Sequence, residues 1–396
     1  MYLFMIVAPI LWIGLHWYAD YRLVRQSAWS PNAKRWLRLV IVLCALLPVV
    51  AMLSGRALGM DSEWARALQL AGFTLMGFSS VTVTLLLMID LIRAATALFE
   101  MFHARWMRGA PAAPVDPSRR GFFGQLANLG VVGTATGVAG FGFAQVRSTP
   151  SVVEVEVPIT NLPHAFEGFR IAQMTDIHVG PTIRGEYLRR CVDVCNGLAA
   201  DMIAVTGDLI DGFVDRLAAD VAPLGDLSAP EGVYFVTGNH EYYWDGPAWC
   251  AEVTRLGLRV LNNEHVVIER GDAKLLLAGC TDISAGQMVP GHRSDPAGAR
   301  AGAPACDVSV LLAHQPRSID AAAKAGYHLQ ISGHTHGGQY FPMNLLVYLA
   351  QPYVKGLAKH DDTTWIYVSR GTGYWGPPTR VGAPAEITLL KLVRAV

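Results

Sequence analysis

Charge is what this chain has least of. Only 16% of its 396 residues are Asp, Glu, Lys or Arg, against about a quarter in an ordinary soluble protein. The 32 basic and 32 acidic residues cancel, so there is no overall basic footprint of the kind a nucleic-acid binder carries, and no nucleic-acid partner is expected. Disorder is excluded too, because a chain that is 52% hydrophobic with no net charge does not stay solvated. The same scarcity argues against a wholly soluble enzyme. Cysteine is sparse: there are six, and none forms a CxxC pair. Apart from Cys44 in an apolar run, Cys191, Cys195, Cys250, Cys280 and Cys306 make an odd set that leaves the redox compartment open. Cys191 and Cys195, four apart, read as helical core neighbours or as half a zinc site, and no second pair completes the latter.

What the first 150 residues do have is long apolar runs. Crossing a bilayer core of ~30 Å takes about 20 residues. Met1 to Ala19, Leu39 to Gly55 (short and interrupted by Pro48) and Ala67 to Ile89 are the candidates. Beyond the third, Leu91, Ala95, Leu98, Phe102 and Trp106 recur at helical spacing between Arg93, Glu100, Arg105 and Arg108, the pattern of an amphipathic extension lying at the interface. Lys/Arg bias in short loops sets orientation. The first loop holds Arg22, Arg25, Lys34, Arg35 and Arg38 against Asp20. The second balances Arg56 and Arg66 with Asp61 and Glu63, and the third is basic again. Basic, balanced, basic reads as inside, outside, inside, with the N-terminus out.

After Pro111, Pro114 and Pro117 comes Ser118-Arg119-Arg120-Gly121-Phe122-Phe123, then a Gly/Ala-rich apolar segment to Val146. Twin arginines before such a run resemble an export signal, here internal. The alternative is a fourth spanning helix, with Gly133 and Gly137 at small-residue packing distance. Either way the chain crosses once more and delivers the residues after about 150 to the outside. The expected organisation is a membrane region with about three helices over 1–110, a linker with this fourth segment over 111–150, and a catalytic domain over 151–396.

In the last of these, short apolar runs of strand length each end in polar residues. They run into Asp176-Ile177-His178, Asp208, Asn239-His240-Glu241, His314, and His334-Thr335-His336. An α/β fold that collects polar residues at strand ends builds its site there. Ten of the 12 histidines lie after residue 150, which is a reason to look for metal. Carboxylate, imidazole and amide suit borderline or hard divalent ions. Asp176 with His178, and His334 with His336, each flank one residue and can turn toward one ion, while Asp208 is placed to bridge two. Two ions ~3.5–4 Å apart can hold a hydroxide and clamp both oxygens of a phosphoryl centre. Gly207, Gly238 and Gly333 beside them permit tight turns and close backbone approach.

The ordered set DIH, GDLID, GNHE, LAHQP and GHTHGG resembles the calcineurin-like metallophosphoesterases over about residues 170 to 385. That resemblance implies a four-layer α/β/β/α sandwich behind the membrane helices and a centre of two divalent ions (Mn, Zn or Fe). It assigns Asp176, His178, Asp208 and His336 to one ion, and Asp208, Asn239, His314 and His334 to the other. It makes His240 the histidine that contacts the scissile phosphate and helps the leaving oxygen, and Asp211 the residue that orients it. Gly212 stands where the protein-phosphatase branch has Arg, which disfavours that branch. Arg184, Arg370 and Arg380 are candidates for the missing phosphate clamp. GHTHGGQ at Gly333–Gln339 and SRGTGYWGPP at Ser369–Pro378 look like the branch of transmembrane proteins with a metallophosphoesterase domain.

Such a chain has three candidate functions. The first is a membrane-anchored phosphohydrolase acting on phosphodiester or lipid-linked substrates by in-line attack of the bridging hydroxide. The second is hydrolysis of UDP-2,3-diacylglucosamine in lipid A synthesis, a cytoplasmic-side substrate that the loop charges argue against. The third is a metal-binding surface protein without catalysis. The catalytic domain is expected outside the cytoplasm, and the oligomeric state is left open. His265, His292, His328 and His360 read as structural. Tyr242, Tyr243, Trp244, Trp249, Tyr374 and Trp375 read either as an apolar wall near the motifs or as core.

Overall fold

The computed structural model describes residues 2–57, 62–107 and 117–395. The chain divides into two compact units between Phe143 and Ala144. Four helices make up the first: α1 (Tyr2–Asp20), α2 (Pro31–Ala57), α3 (Glu63–Met107) and α4 (Pro117–Arg147). Three of them are long and apolar enough to cross a membrane, over Pro31–Leu53, Glu63–Trp106 and Gly121–Arg147, and the protein is an integral membrane protein. Pro48 does not interrupt α2, which runs 27 residues through it. The third apolar run and the amphipathic stretch after it are one uninterrupted helix of 45 residues, roughly 68 Å at 1.5 Å per residue and twice the hydrocarbon thickness. The expected interfacial segment is therefore a continuation of the span and not a separate element. Asp61, Arg108, Pro111 and Pro114 lie outside the described residues.

Polar groups in this unit pair across helices. Arg22 Nε lies 2.7 Å from Asp90, which also accepts from the Tyr18 hydroxyl at 2.8 Å. Asp20 accepts from Arg25 at 3.0 Å and Arg38 at 2.9 Å. The first basic loop and the end of the third apolar run thus meet at the same end of the helical unit.

The second unit carries twelve strands: β1 (Ser151–Ile159), β2 (Arg170–Met174), β3 (Met202–Val205), β4 (Val233–Phe235), β5 (Arg259–Val260), β6 (Glu264–Arg270), β7 (Ala273–Gly279), β8 (Val308–Leu312), β9 (Leu329–Ser332), β10 (Gly356–Lys359), β11 (Trp365–Val368) and β12 (Glu386–Arg394). They form two six-stranded sheets, ordered β1-β12-β2-β3-β4-β5 and β10-β11-β9-β8-β7-β6. β2, β3 and β4 run parallel in the first, and β7, β8, β9 and β11 in the second.

Strand residues alternate between two cores, as the period of two demands. Met202 and Ala204 of β3 face the layer between the sheets, together with Phe169, Tyr234, Val310 and Tyr367. Ile203 and Val205 face the opposite way, onto helices α5 (Gly185–Gly197), α6 (Val214–Val221) and α8 (Gly246–Arg255); the five-residue α7 (Asn239–Tyr243) precedes α8. Leu276 and Leu311 of the second sheet pack outward on α9 (Pro296–Arg300) and α10 (Ile319–Lys324). The result is the expected α/β/β/α sandwich. Cys191 and Cys195 are buried, unbridged members of the α5 core face, the packing reading of that pair.

Candidate metal centre

The polar motifs meet because parallel neighbours end at the same edge. Past its strand, each loop continues pairing with the next: Asp176 N–H donates to Gly207 O at 3.0 Å and His178 N–H to Asp208 O at 3.1 Å. Val179 and Ile210 then form a parallel bridge, which brings Asp176, His178, Asp208 and Asp211 together. Asp176, His178, Asp208, His334 and His336 all have φ between 50° and 71°. Left-handed backbone at a non-glycine residue costs about 1–3 kcal/mol and persists where the surroundings enforce it. Here it turns five side chains into one volume. Two glycines leave the room: a Cβ on Gly238 would lie 2.2 Å from Asp208 Oδ1, and one on Gly333 2.2 Å from Asp176 Oδ2.

Two groups of donors result. Asp176, His178 and His336 converge in one; Asp208, His314 and His334 in another; and Asp208 approaches both, since it also groups with His178 and His240. Asp208 Oδ2 is 3.1 Å from His314 Nε2 and 3.9 Å from His178 Nε2. The Nε2 atoms of His178 and His336 face each other at 3.1 Å, and His336 Nε2 is 3.5 Å from Asp176. His334 Nδ1 faces His314 Nε2 at 3.2 Å. Asn239 is buried, and its side-chain oxygen has no hydrogen-bond partner. Facing ring nitrogens beside carboxylates and an orphaned amide oxygen fit cations, and the His/Asp side chains form two clusters able to bind divalent metal.

Electrostatics differ among the donors: burial raises the Asp176 carboxyl, while burial lowers His314 but Asp208 outweighs it and lifts that ring well above the usual histidine range. Burial, then the His178 and Arg380 charges, hold His336 well below the usual histidine range, and burial and His314 bring His334 to about 3. Both rings are neutral and offer lone pairs. Burial raises the Asp208 carboxyl, but His314 and His240 outweigh it and hold the group well below its ordinary value.

His240 belongs to the third grouping, with His178 and Asp208; its Nδ1 meets Asp211 Oδ1 at 2.5 Å, and its Nε2 lies 3.9 Å from Asp208. Burial lowers the His240 pKa, yet Asp208 and Asp211 lift it to about 9. The ring is framed by Tyr243 and Trp375, at centroid distances of 5.0 and 5.7 Å, and both aromatics are about half exposed. Trp249 is core, Tyr242 and Tyr374 are buried, and Trp244 packs partly buried against the core, so the apolar-wall reading narrows to Tyr243 and Trp375.

A family profile described as calcineurin-like phosphoesterase matches residues 169–338. A transmembrane protein with metallophosphoesterase domain from Danio rerio is 37% identical over 265 residues, covering 65% of this chain and 61% of that protein. Its Bos taurus namesake is 38% identical, covering 73% of this chain and 67% of that protein. An uncharacterized metallophosphoesterase of Helicobacter pylori is 34% identical, covering 70% of this chain and 73% of that protein.

The chain belongs to the calcineurin-like metallophosphoesterases.

It spans about three fifths of the length of the first of these relatives. Within this metallophosphoesterase the three candidate clamp arginines are engaged elsewhere. Arg184 pairs with Asp220 at 2.6 Å. Arg370 Nε and Nη2 both reach Oε2 of buried Glu386, whose Oε1 accepts from the Arg370 backbone N–H at 2.9 Å. Arg380 is 1% exposed, and its donors go to the carbonyls of Gly373, Ala383, Arg370, Gly371 and His336. With its Nη2 3.1 Å from His336 Nδ1, Arg380 props a cluster histidine, and its donors are directed to protein groups.

Two positioning residues, Glu241 and Gln339, are not singled out by sequence pattern. The buried Glu241 carboxylate accepts from the N–H groups of Asp208 (3.0 Å), Leu209 (2.7 Å) and Gly238 (2.6 Å), tying two motif loops together. Gln339 donates to Trp375 O and Pro377 O and accepts from Trp375 N–H, which holds that tryptophan beside His240. Their place inside GNHE and GHTHGGQ is the signal that could have found them.

Proposed function

We propose that this protein is a membrane-anchored phosphohydrolase with a two-metal centre, acting on phosphodiester or lipid-linked phosphoesters. The observation that carries the reading is Asp208, shared between the two donor clusters beside the unpartnered Asn239 oxygen. Asp176, His178, Asp208 and His336 would hold one ion, and Asp208, Asn239, His314 and His334 the other. Two such ions supply an activated water and neutralise charge on a phosphoryl group. The chain's own part is positional and protonic. His314 Nδ1 is anchored on Thr206 O at 2.8 Å, which aims Nε2 inward. His240, held by Asp211 at Nδ1, keeps a proton at Nε2 for the leaving oxygen. Tyr243 and Trp375 beside it offer apolar surface to whatever the phosphate is attached to.

Loop charge supports a catalytic unit outside the cytoplasm, with the two basic loops inside.

The test uses full-length protein in detergent with bis-p-nitrophenyl phosphate. Chelation is expected to abolish turnover and Mn²⁺ to restore it. Asp208→Asn is expected to lose both ions by metal analysis and Asn239→Ala mainly one. Two ions retained in Asp208→Asn with normal turnover would overturn the assignment.

A further inference from the structure

The apolar surface beside the metal motifs extends beyond Trp375. Just past Gln339, helix α11 (Met343–Leu346) and the helical turn Val347–Leu349 carry Met343, Leu345, Leu346, Tyr348 and Leu349, between 47% and 87% exposed. Five large apolar side chains in seven residues form a patch that a surface meant only for water does not carry. The patch is fixed to the motif that supplies His334 and His336. The Thr335 hydroxyl donates to Val354 O at 2.6 Å, Asn344 N–H to Tyr340 O at 3.1 Å, and a Cβ on Gly338 would lie 2.2 Å from Asn344 Cα.

Its charge is one-sided. No Asp or Glu occurs between Asp320 and Asp361, whereas Lys324, Lys355 and Lys359 lie in that interval, the last of them 4.0 Å from Asp362. Arg317 adds a fourth cation at the edge, capping the segment through Ala350 O at 2.6 Å. Apolar residues with basic flanks suit the headgroup boundary of an anionic bilayer, where nearby cations add electrostatic attraction to apolar burial. A second copy of the same basic patch would repel it. The bilayer is also at hand, because only three residues separate α4, which ends at Arg147, from β1, which begins at Ser151, and a short tether raises local concentration.

We propose that residues 343–349 dock on the anionic bilayer that holds the chain, setting the metal motifs at headgroup level so that the site takes phosphoesters embedded in that bilayer. The substrate part rests on the phosphohydrolase reading; the docking part does not.

The experiment is amide hydrogen exchange on the full-length protein in phosphatidylglycerol nanodiscs and in a bilayer-free amphipol. Exchange over 343–353 is expected to slow by about tenfold or more in the nanodisc. Leu345→Asp with Leu349→Asp is expected to remove that protection and keep turnover of soluble bis-p-nitrophenyl phosphate within about twofold. The same pair should cut hydrolysis of a phosphoester lipid in the disc by about tenfold. Equal exchange in the two environments, or protection that survives the double substitution, would overturn the docking. So would protection that grows with protein concentration, which marks a second copy. Protection without turnover of either substrate would confirm the docking and overturn the phosphohydrolase reading.

Discussion

His240 has one ring nitrogen committed to Asp211 at 2.5 Å and the other directed toward Asp208. On the proposed function, a ring so placed serves as proton donor and not as a ligand, although it also groups with His178 and Asp208. His240→Ala is therefore expected to keep both metals and to lose turnover by ~10²–10⁴-fold. The loss is expected to be smaller with nitrophenol as leaving group, where protonation contributes less; equal losses for good and poor leaving groups would rule out the acid role. Arg380 makes the opposite case. Its guanidinium sits in the interior on backbone carbonyls, and burial lowers its pKa to about 10, still charged at neutral pH. Arg380→Met strands those carbonyls and is expected to cost about 3 kcal/mol or more of stability, read as a fall in melting temperature. A substrate clamp would instead raise KM and leave the melting temperature unmoved.

At the scale of elements, the motif-bearing strands were legible because a run of four or five apolar residues ending in Asp, Asn or His is a local pattern. Met202–Val205 shows why: both faces of the strand are buried, so every position is apolar up to the loop. Arg380 was not legible. It comes 44 residues after His336, and only the return of the 370–383 loop brings the two together. The length of α3 was legible in part, since residues 91–106 read as a helical extension of the third apolar run. Arg93 and Glu100 look like a break in hydropathy, but charge does not end a helix, and no proline or glycine interrupts residues 78–107. The turns that join strand to site make a sharper prediction. Gly238→Ala would press a Cβ to within 2.2 Å of Asp208 Oδ1. It is expected to cost about 1–3 kcal/mol and to lose metal as Asp208 shifts. Gly197→Ala, which meets open space, is the control and is expected to stay within about 0.5 kcal/mol. Melting curves with metal analysis compare the two.

For the molecule as a whole, orientation is the property that most constrains substrate. A reporter fused after Val396 and active only outside the cytoplasm is expected to be active. Activity of a cytoplasm-only reporter would reverse the topology and favour the nucleotide-linked lipid as substrate. If the twin arginines act as a signal, Arg119→Lys with Arg120→Lys is expected to trap the domain inside; if they merely flank a fourth helix, that charge-preserving change does little. How the domain reaches its final side also bears on how it is made. β12 lies between β1 and β2, parallel to the first and antiparallel to the second. Ser151 pairs with Glu386, and Ile159 with Arg394. The first sheet consequently lacks the strand that joins β1 to β2 until residues 386–394 have been made, and such distant pairing is slow to form. A nascent domain threaded through the membrane during synthesis must close that gap, and collect its metals, on the far side. A domain exported already folded must do both in the cytosol. The compartment whose metal pool loads the enzyme is thus decided by when the final strand drops into place, before any substrate is met.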